Sequence, residues 1–129
     1  MYEFKEEFLT GIEMIDNEHR RLFEIAQELY ELQCEEFIPD KYDNIREILE
    51  ELKNYTLTHF EHEEAYMQSI GYKRMFTQKV QHDALREQIN GWDLDAIDEN
   101  QDEAIEEMLQ TVTNWLVDHI LHQDKLIGK

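Results

Sequence analysis

Helix breakers are scarce in this chain: one proline and four glycines are spread over 129 residues. Proline and glycine oppose helix more strongly than any other residues, so a chain this poor in them is constrained toward long helices. The breakers divide it into four pieces. Asp16 or Asn17 is expected to cap a first helix, on which Leu22, Ile25, Ala26, Leu29 and Leu32 recur at helical spacing. "FIPDK" ends it, because Pro39 cannot continue a helix and Asp40 can cap the next. The second is predicted from about Lys41 to Ser69, with Ile45, Ile48, Leu49, Leu52 and Tyr55 facing inward and Gly71 of "SIGY" as its stop. The third covers about Lys73 to Asn90, with Val80, Leu85 and Ile89 on its stripe, and "GWDLDAIDEN" forms the longest joint. The fourth runs from about Asp102 to His122 on Ile105, Met108, Leu109, Val112 and Leu116.

Four amphipathic helices with mostly short joints predict an all-α, antiparallel up-down-up-down four-helix bundle. Residues 1–15 are apolar at Tyr2, Phe4, Phe8, Leu9, Ile12 and Ile15 without a long helical stripe, and are read as an N-terminal arm on the bundle. The whole of 1–129 is expected to be one domain, large enough for a core without staples.

Charge narrows the function classes. The formal net charge of −19 opposes binding to nucleic acid, whose phosphates need a basic surface, and to an anionic membrane face. Cys34 is the single cysteine, so no disulfide framework exists and a reducing compartment is natural. No basic-then-apolar leader opens the chain and no apolar run approaches a membrane span, from which a cytoplasmic protein is expected; the oligomeric state is left open, with a monomer favoured. Ser69 is the only serine and lies in no nucleophile motif, which disfavours a triad hydrolase.

The stretch "YTLTHFEHEEAYM" poses the sharper question. It reads as helix, yet His59 and Glu63 stand four apart on the face shared by Leu52 and Thr56. Each of the other helices repeats the pattern. His19 precedes Leu22 and Ala26 by three and seven, His82 leads Leu85 and Ile89 by the same intervals, and His119 follows Leu116 and Val112 by three and seven. One histidine on a core face is ordinarily a hydrogen-bonded core residue; one on every helix is a different matter. Buried imidazoles and carboxylates are costly without partners, and a shared cation resolves all those costs together. In alternating helices, positions early, late, early and late in the run share one level, so the four rings converge at one end of the bundle. Glu63 lies one turn beyond His59, and Asp124 five residues after His119. Nitrogen with carboxylate oxygen suits iron, manganese or zinc over calcium or magnesium. Four imidazoles and two carboxylates exceed one tetrahedral site and suit two metals bridged by the carboxylates.

These stretches, "GIEMIDNEHRRL", "YTLTHFEHEEAYM" with "GY" shortly after, and "WLVDHILHQD", resemble the hemerythrin family, its bacterial members in particular. The resemblance spans nearly the whole chain and rests on the ordered set H…HxxxE…H…HxxxxD. It implies a non-haem diiron centre, two iron ions with an oxo or hydroxo bridge, held in that family by five histidines, one glutamate and one aspartate. Carried over, His19 and His59 resemble the ligands of one iron, His82 and His119 two of the three histidines of the other, and Glu63 and Asp124 the bridging carboxylates. The fifth histidine would stand four residues before His82, where this chain has Gln78. Gln78 can bind metal through its amide oxygen, hold a water in the place, or yield it to an unassigned histidine, His62 or His122; simple space filling is the plain reading. The last two are boundary or surface positions on helical geometry.

The resemblance further implies dioxygen as the ligand, for storage, delivery or sensing. A dry apolar pocket lined by Phe60, Trp115, Leu116 and Ile120 is expected beside the ligands, the same residues serving equally as plain core. A diiron enzyme reducing peroxide or nitric oxide is the alternative, and an iron-buffering or structural metal bundle the third reading.

Overall fold

A computed structural model of the chain describes residues 4–34, 42–91 and 101–128. Within them stand four long helices and no strand: α1 (Glu13–Cys34), α2 (Tyr42–Ser69), α3 (Met75–Asn90) and α4 (Gln101–His119). A π-helical turn (Ile120–Asp124) and a last α-turn (Lys125–Ile127) extend α4, and a 3₁₀ turn (Glu6–Phe8) precedes α1. The expected bundle is present. The start of α1, the end of α2, the start of α3 and the end of α4 meet at one level, where His19, Glu63, His82 and Asp124 approach one another. At the other end Leu29 and Leu32, late in α1, pack with Ile45 and Leu49, early in α2, and Met108 and Leu109, early in α4. Pro39 and Asp40, and the joint after Gly91, lie outside the described residues, as does the side chain of Ile105.

The caps explain where the helices stop. Gly71, at φ +63°, closes α2 in the left-handed conformation that only glycine adopts freely. The Gly71 N–H donates to the Gln68 carbonyl at 3.2 Å and the Tyr72 N–H to the Met67 carbonyl at 2.9 Å, which is the Schellman arrangement. The expected cap of α1 is corrected: the helix begins at Glu13, and Asp16 lies inside it. Its carboxylate reaches back to accept from the Thr10 N–H and hydroxyl, both at 2.8 Å, and from the Gly11 N–H at 3.2 Å. Those donors belong to the arm, so Asp16 ties the arm to the helix. Asn17 only accepts from Arg20. The arm therefore ends before Ile15, a buried residue of α1. Phe4 and Phe8 pack on Phe23, whereas Leu9 is partly exposed.

The core is layered along the bundle. Above the Leu29 layer comes a second, with Phe8, Leu22, Phe23, Ile25, Leu52, Val112, Leu116 and Ile120. Ile15, Met67 and Ile127 form a third apolar layer. Phe60, Leu85 and Ile89 fill the side between α2 and α3. On α2, Ile45, Leu49 and Leu52 are buried as expected, while Ile48 and Tyr55 are only partly so. On α3 the reading of Val80 fails: it is 52% exposed, and the inner face is Gln78, His82, Leu85 and Ile89. Spacing explains the error, since Val80 lies two residues from both Gln78 and His82, on the far side of a helix on which 78, 82, 85 and 89 share a face.

Candidate metal centre

Among the described residues ten polar or charged ones are buried, and seven of them, His19, His59, Glu63, Gln78, His82, His119 and Asp124, are those singled out in the sequence. Helical periodicity accounts for six. His59 and Glu63 are one turn apart on α2, and Gln78 and His82 one turn apart on α3. Asp124 is different. In an α-helix the fifth residue after His119 would lie about 140° around the axis from it. The π turn from Ile120 to Asp124 widens the helix by one residue, and so returns Asp124 beneath His119. His119 Nε2 is then 3.1 Å from Asp124 Oδ1.

The two carboxylates divide the imidazoles between them. Glu63 Oε1 is 3.0 Å from His82 Nε2, and Glu63 Oε2 is 3.2 Å from His59 Nε2 and 3.7 Å from His19 Nε2. Asp124 Oδ1 faces His119, and Oδ2 is 3.0 Å from His19 Nε2. Two groups of potential ligand atoms result, each with all atoms within 4.8 Å of one another: Glu63, His82, His119 and Asp124, and His19, His59 and Glu63. Gln78 joins the first through its amide, Nε2–H donating to Asp124 Oδ1 at 3.0 Å.

The donor set fits cations better than it fits protons. Glu63 Oε2, Asp124 Oδ2, His119 Nε2 and Gln78 Oε1 are buried with no hydrogen-bond partner, although imidazole nitrogens stand within 3.0–3.2 Å of these carboxylate oxygens. Facing lone pairs that make no hydrogen bond want a positive ion between them. The outer nitrogens are provided for separately. His59 Nδ1 donates to Glu18 (2.8 Å), His82 Nδ1 to Glu64 (3.2 Å) and His119 Nδ1 to Gln81 (2.7 Å). Such outer partners leave Nε2 as the free donor, the usual state of a metal-ligating histidine. Glu64 is held in turn by Arg86, which lies over the Phe60 ring. His19 Nδ1 has no such partner.

Without a metal, protons hold this charge in place. Burial works against the charged form of His59, but Glu18 and Glu63 outweigh it and raise its pKa to about 10. His19 is also raised against the pull of burial, through Asp124 and Glu63. Burial would raise Glu63, yet His19, His59 and His82 hold its carboxyl well below the usual range.

A family model, "Hemerythrin HHE cation binding domain", matches residues 10–129. The chain belongs to the hemerythrin family. A bacteriohemerythrin of Clostridium acetobutylicum is 49% identical over 125 residues, covering 97% of each chain. One from Methylococcus capsulatus is 29% identical over 95% of this chain and 89% of its own length. A crystal structure of wild-type hemerythrin superimposes with a TM-score of 0.70 over 92% of this chain and 88% of its own, at 24% identity, a likeness of fold. Family membership, together with the buried cluster, supports a non-haem iron protein.

His62 is half exposed, and its Nδ1 donates to Glu18 at 2.6 Å, so it shares the outer carboxylate of His59 without entering the cluster. His122 is 70% exposed, with its Nε2 3.6 Å from Asp118. Phe60 stacks on the His82 ring at 3.9 Å, and Trp115 on the His119 ring at 4.3 Å. Leu116 and Ile120 belong to the neighbouring apolar layer. Glu18, Glu64, Gln81 and Arg86 were not singled out in the sequence. Each lies off the apolar stripe; for three of them the only signal was adjacency, Glu18 beside His19, Glu64 beside Glu63 and Gln81 beside His82, and Arg86 had none.

Proposed function

We propose that the chain is a dioxygen-binding protein with a non-haem diiron centre of altered ligand set. The observation that carries this reading is the division of Glu63 and Asp124, each with one oxygen toward either pair of imidazoles. One ion would be held by His19 and His59 and the other by His82 and His119, with both carboxylates shared. A ferrous pair, when bound, supplies the electrons that reversible dioxygen binding requires. The chain supplies the rest. Glu18, Glu64 and Gln81 orient three of the imidazoles. Phe60 and Trp115 cover ligand rings and keep water from them. Gln78 anchors Asp124 by its amide N–H and keeps its own Oε1 unpartnered in the interior.

Gln78 stands where the family resemblance expects a fifth histidine. A neutral amide is a weaker donor than imidazole, so an ion beside His82 and His119 would be held less firmly and would be more open to exchange. Oxidation of the air-exposed protein is therefore faster than with a full histidine set, and peroxide or nitric oxide reacts more readily.

The experiment is metal analysis of protein purified without added metal, followed by visible absorbance as the reduced protein meets air. A pair of irons per chain and a band that reverses on removing oxygen support the reading. Zinc in place of iron, or no reversible band, overturns it. Gln78→His is expected to prolong that band and to slow peroxide turnover; if it does neither, the role given to Gln78 is wrong.

A further inference from the structure

The outward face of α3 differs from the rest of the molecule. Residues 65–82 are the longest stretch of the chain without aspartate or glutamate, and they include Lys73, Arg74 and Lys79. All 31 acidic residues lie elsewhere, with the other nine of the 12 basic ones. The three cations are exposed, and among the described residues none of them pairs with a carboxylate, unlike Arg21, Arg46 and Arg86. Beside them stand Phe76, 80% exposed, and Val80, one turn apart on one face, with exposed Ala84 a further turn on. Exposed Phe76 and Val80 are flanked by Lys73, Arg74 and Lys79, and Asp83, paired with Arg86, bounds the patch at its far end; adjacent exposed apolar residues beside unpaired cations mark an interaction surface. The same turns carry Gln78 and His82 on the inner side. A molecule seated here is separated from the cluster by one helix width, about 10 Å.

We infer that this face docks a small acidic electron-carrier protein. The inference rests on the diiron reading: an oxidised, diferric pair takes up two electrons to become diferrous, one from each of two reduced carriers, which are themselves oxidised. Charge selects the occupant. A basic partner would be drawn to almost any other face of a chain of net charge −19. An acidic partner is repelled everywhere but here, and screening beyond about 8 Å at physiological salt lets the local patch decide at contact. The patch thus attracts and orients the same partner. Its small apolar centre matches the limited area of transient redox encounters. A second copy of this chain also offers acidic surface, and the test below separates self-association from carrier docking.

The test mixes oxidised, iron-loaded full chain with a reduced acidic [2Fe–2S] ferredoxin in a stopped-flow spectrometer. Reduction is expected to saturate with carrier concentration and to slow as sodium chloride is raised. Lys73→Glu with Lys79→Glu, and separately Phe76→Ser, are expected to slow it by about ten-fold or more, with reduction by dithionite unchanged. Equal rates in wild type and charge-reversed protein, or indifference to salt, overturn the inference. A second measurement does not depend on iron: amide chemical shifts of the zinc-loaded chain on adding oxidised ferredoxin. Shifts centred on residues 73–84 uphold docking even where the dioxygen reading has failed; shifts elsewhere, or none, sink it. Binding of phosphatidylserine vesicles through these residues, or self-association removed by the same substitutions, without a ferredoxin effect, also overturns it.

Discussion

His59 and Glu63 set the pH behaviour of the metal-free chain, because both are buried and held charged by neighbours, His59 by Glu18 and Glu63, and Glu63 by His19, His59 and His82. His59, raised to about 10, stabilises the fold fully below its unfolded value near 6.5 and loses that contribution as pH climbs through about 10. Glu63, depressed well below 4.5, stabilises above its unfolded value and loses its contribution as pH falls through the depressed one. Chelator-treated protein is therefore expected to melt highest between about pH 4.5 and 6.5, and at falling temperatures as pH rises toward 10. Thermal denaturation followed by circular dichroism checks this. Metal reverses the trend, since ions must displace those protons and so bind more tightly as pH rises. The outer carboxylates matter at the same scale. Glu18→Gln leaves His59 with a neutral partner and is expected to weaken metal retention by about 10- to 100-fold; competition with a coloured chelator would read it, and unchanged retention would exclude Glu18 from the site.

Among the elements, the π turn does the most for the candidate centre. The motif HxxxxD cannot place both residues on one side of an α-helix, and only the wider turn at Ile120–Asp124 does so. Inserting one alanine after exposed His122 would place the carboxylate six residues after His119 and swing it about 100° away. Helical content is expected to survive while bound metal falls toward zero, as measured by circular dichroism and metal analysis on one preparation. Retention of the full metal complement would show that Asp124 is dispensable. Near this end Gly128 rests on the arm: a Cβ there would run into the Thr10 carbonyl oxygen. Asp16 holds the same Thr10 from α1, so the arm and the last turn of the chain are fastened around the cluster.

For the molecule as a whole, donors from all four helices meet in one cluster between apolar layers. Metal bound there links every helix, so its binding energy is folding energy. Chelation is expected to lower stability by about 4 kcal/mol where free metal had stood about a thousand-fold above Kd, measured as a shift in the urea midpoint. An unchanged midpoint would mean that the cluster holds no metal that matters to the fold. Much of this was legible in the amino-acid order alone. The four helices follow from missing breakers and apolar periodicity, and the converging donors from histidines placed on each stripe, because both are local consequences of 3.6 residues per turn. Periodicity also misplaced Val80, where the true inner face of α3 was carried by polar residues that a hydrophobic reading passes over. Only tertiary structure decided which oxygen of Glu63 and Asp124 faces which imidazole, that Glu18, Glu64 and Gln81 complete the rings, and that α4 widens to bring Asp124 home. Those features depend on which helix stands opposite which, a relation that residue order along a single helix does not contain.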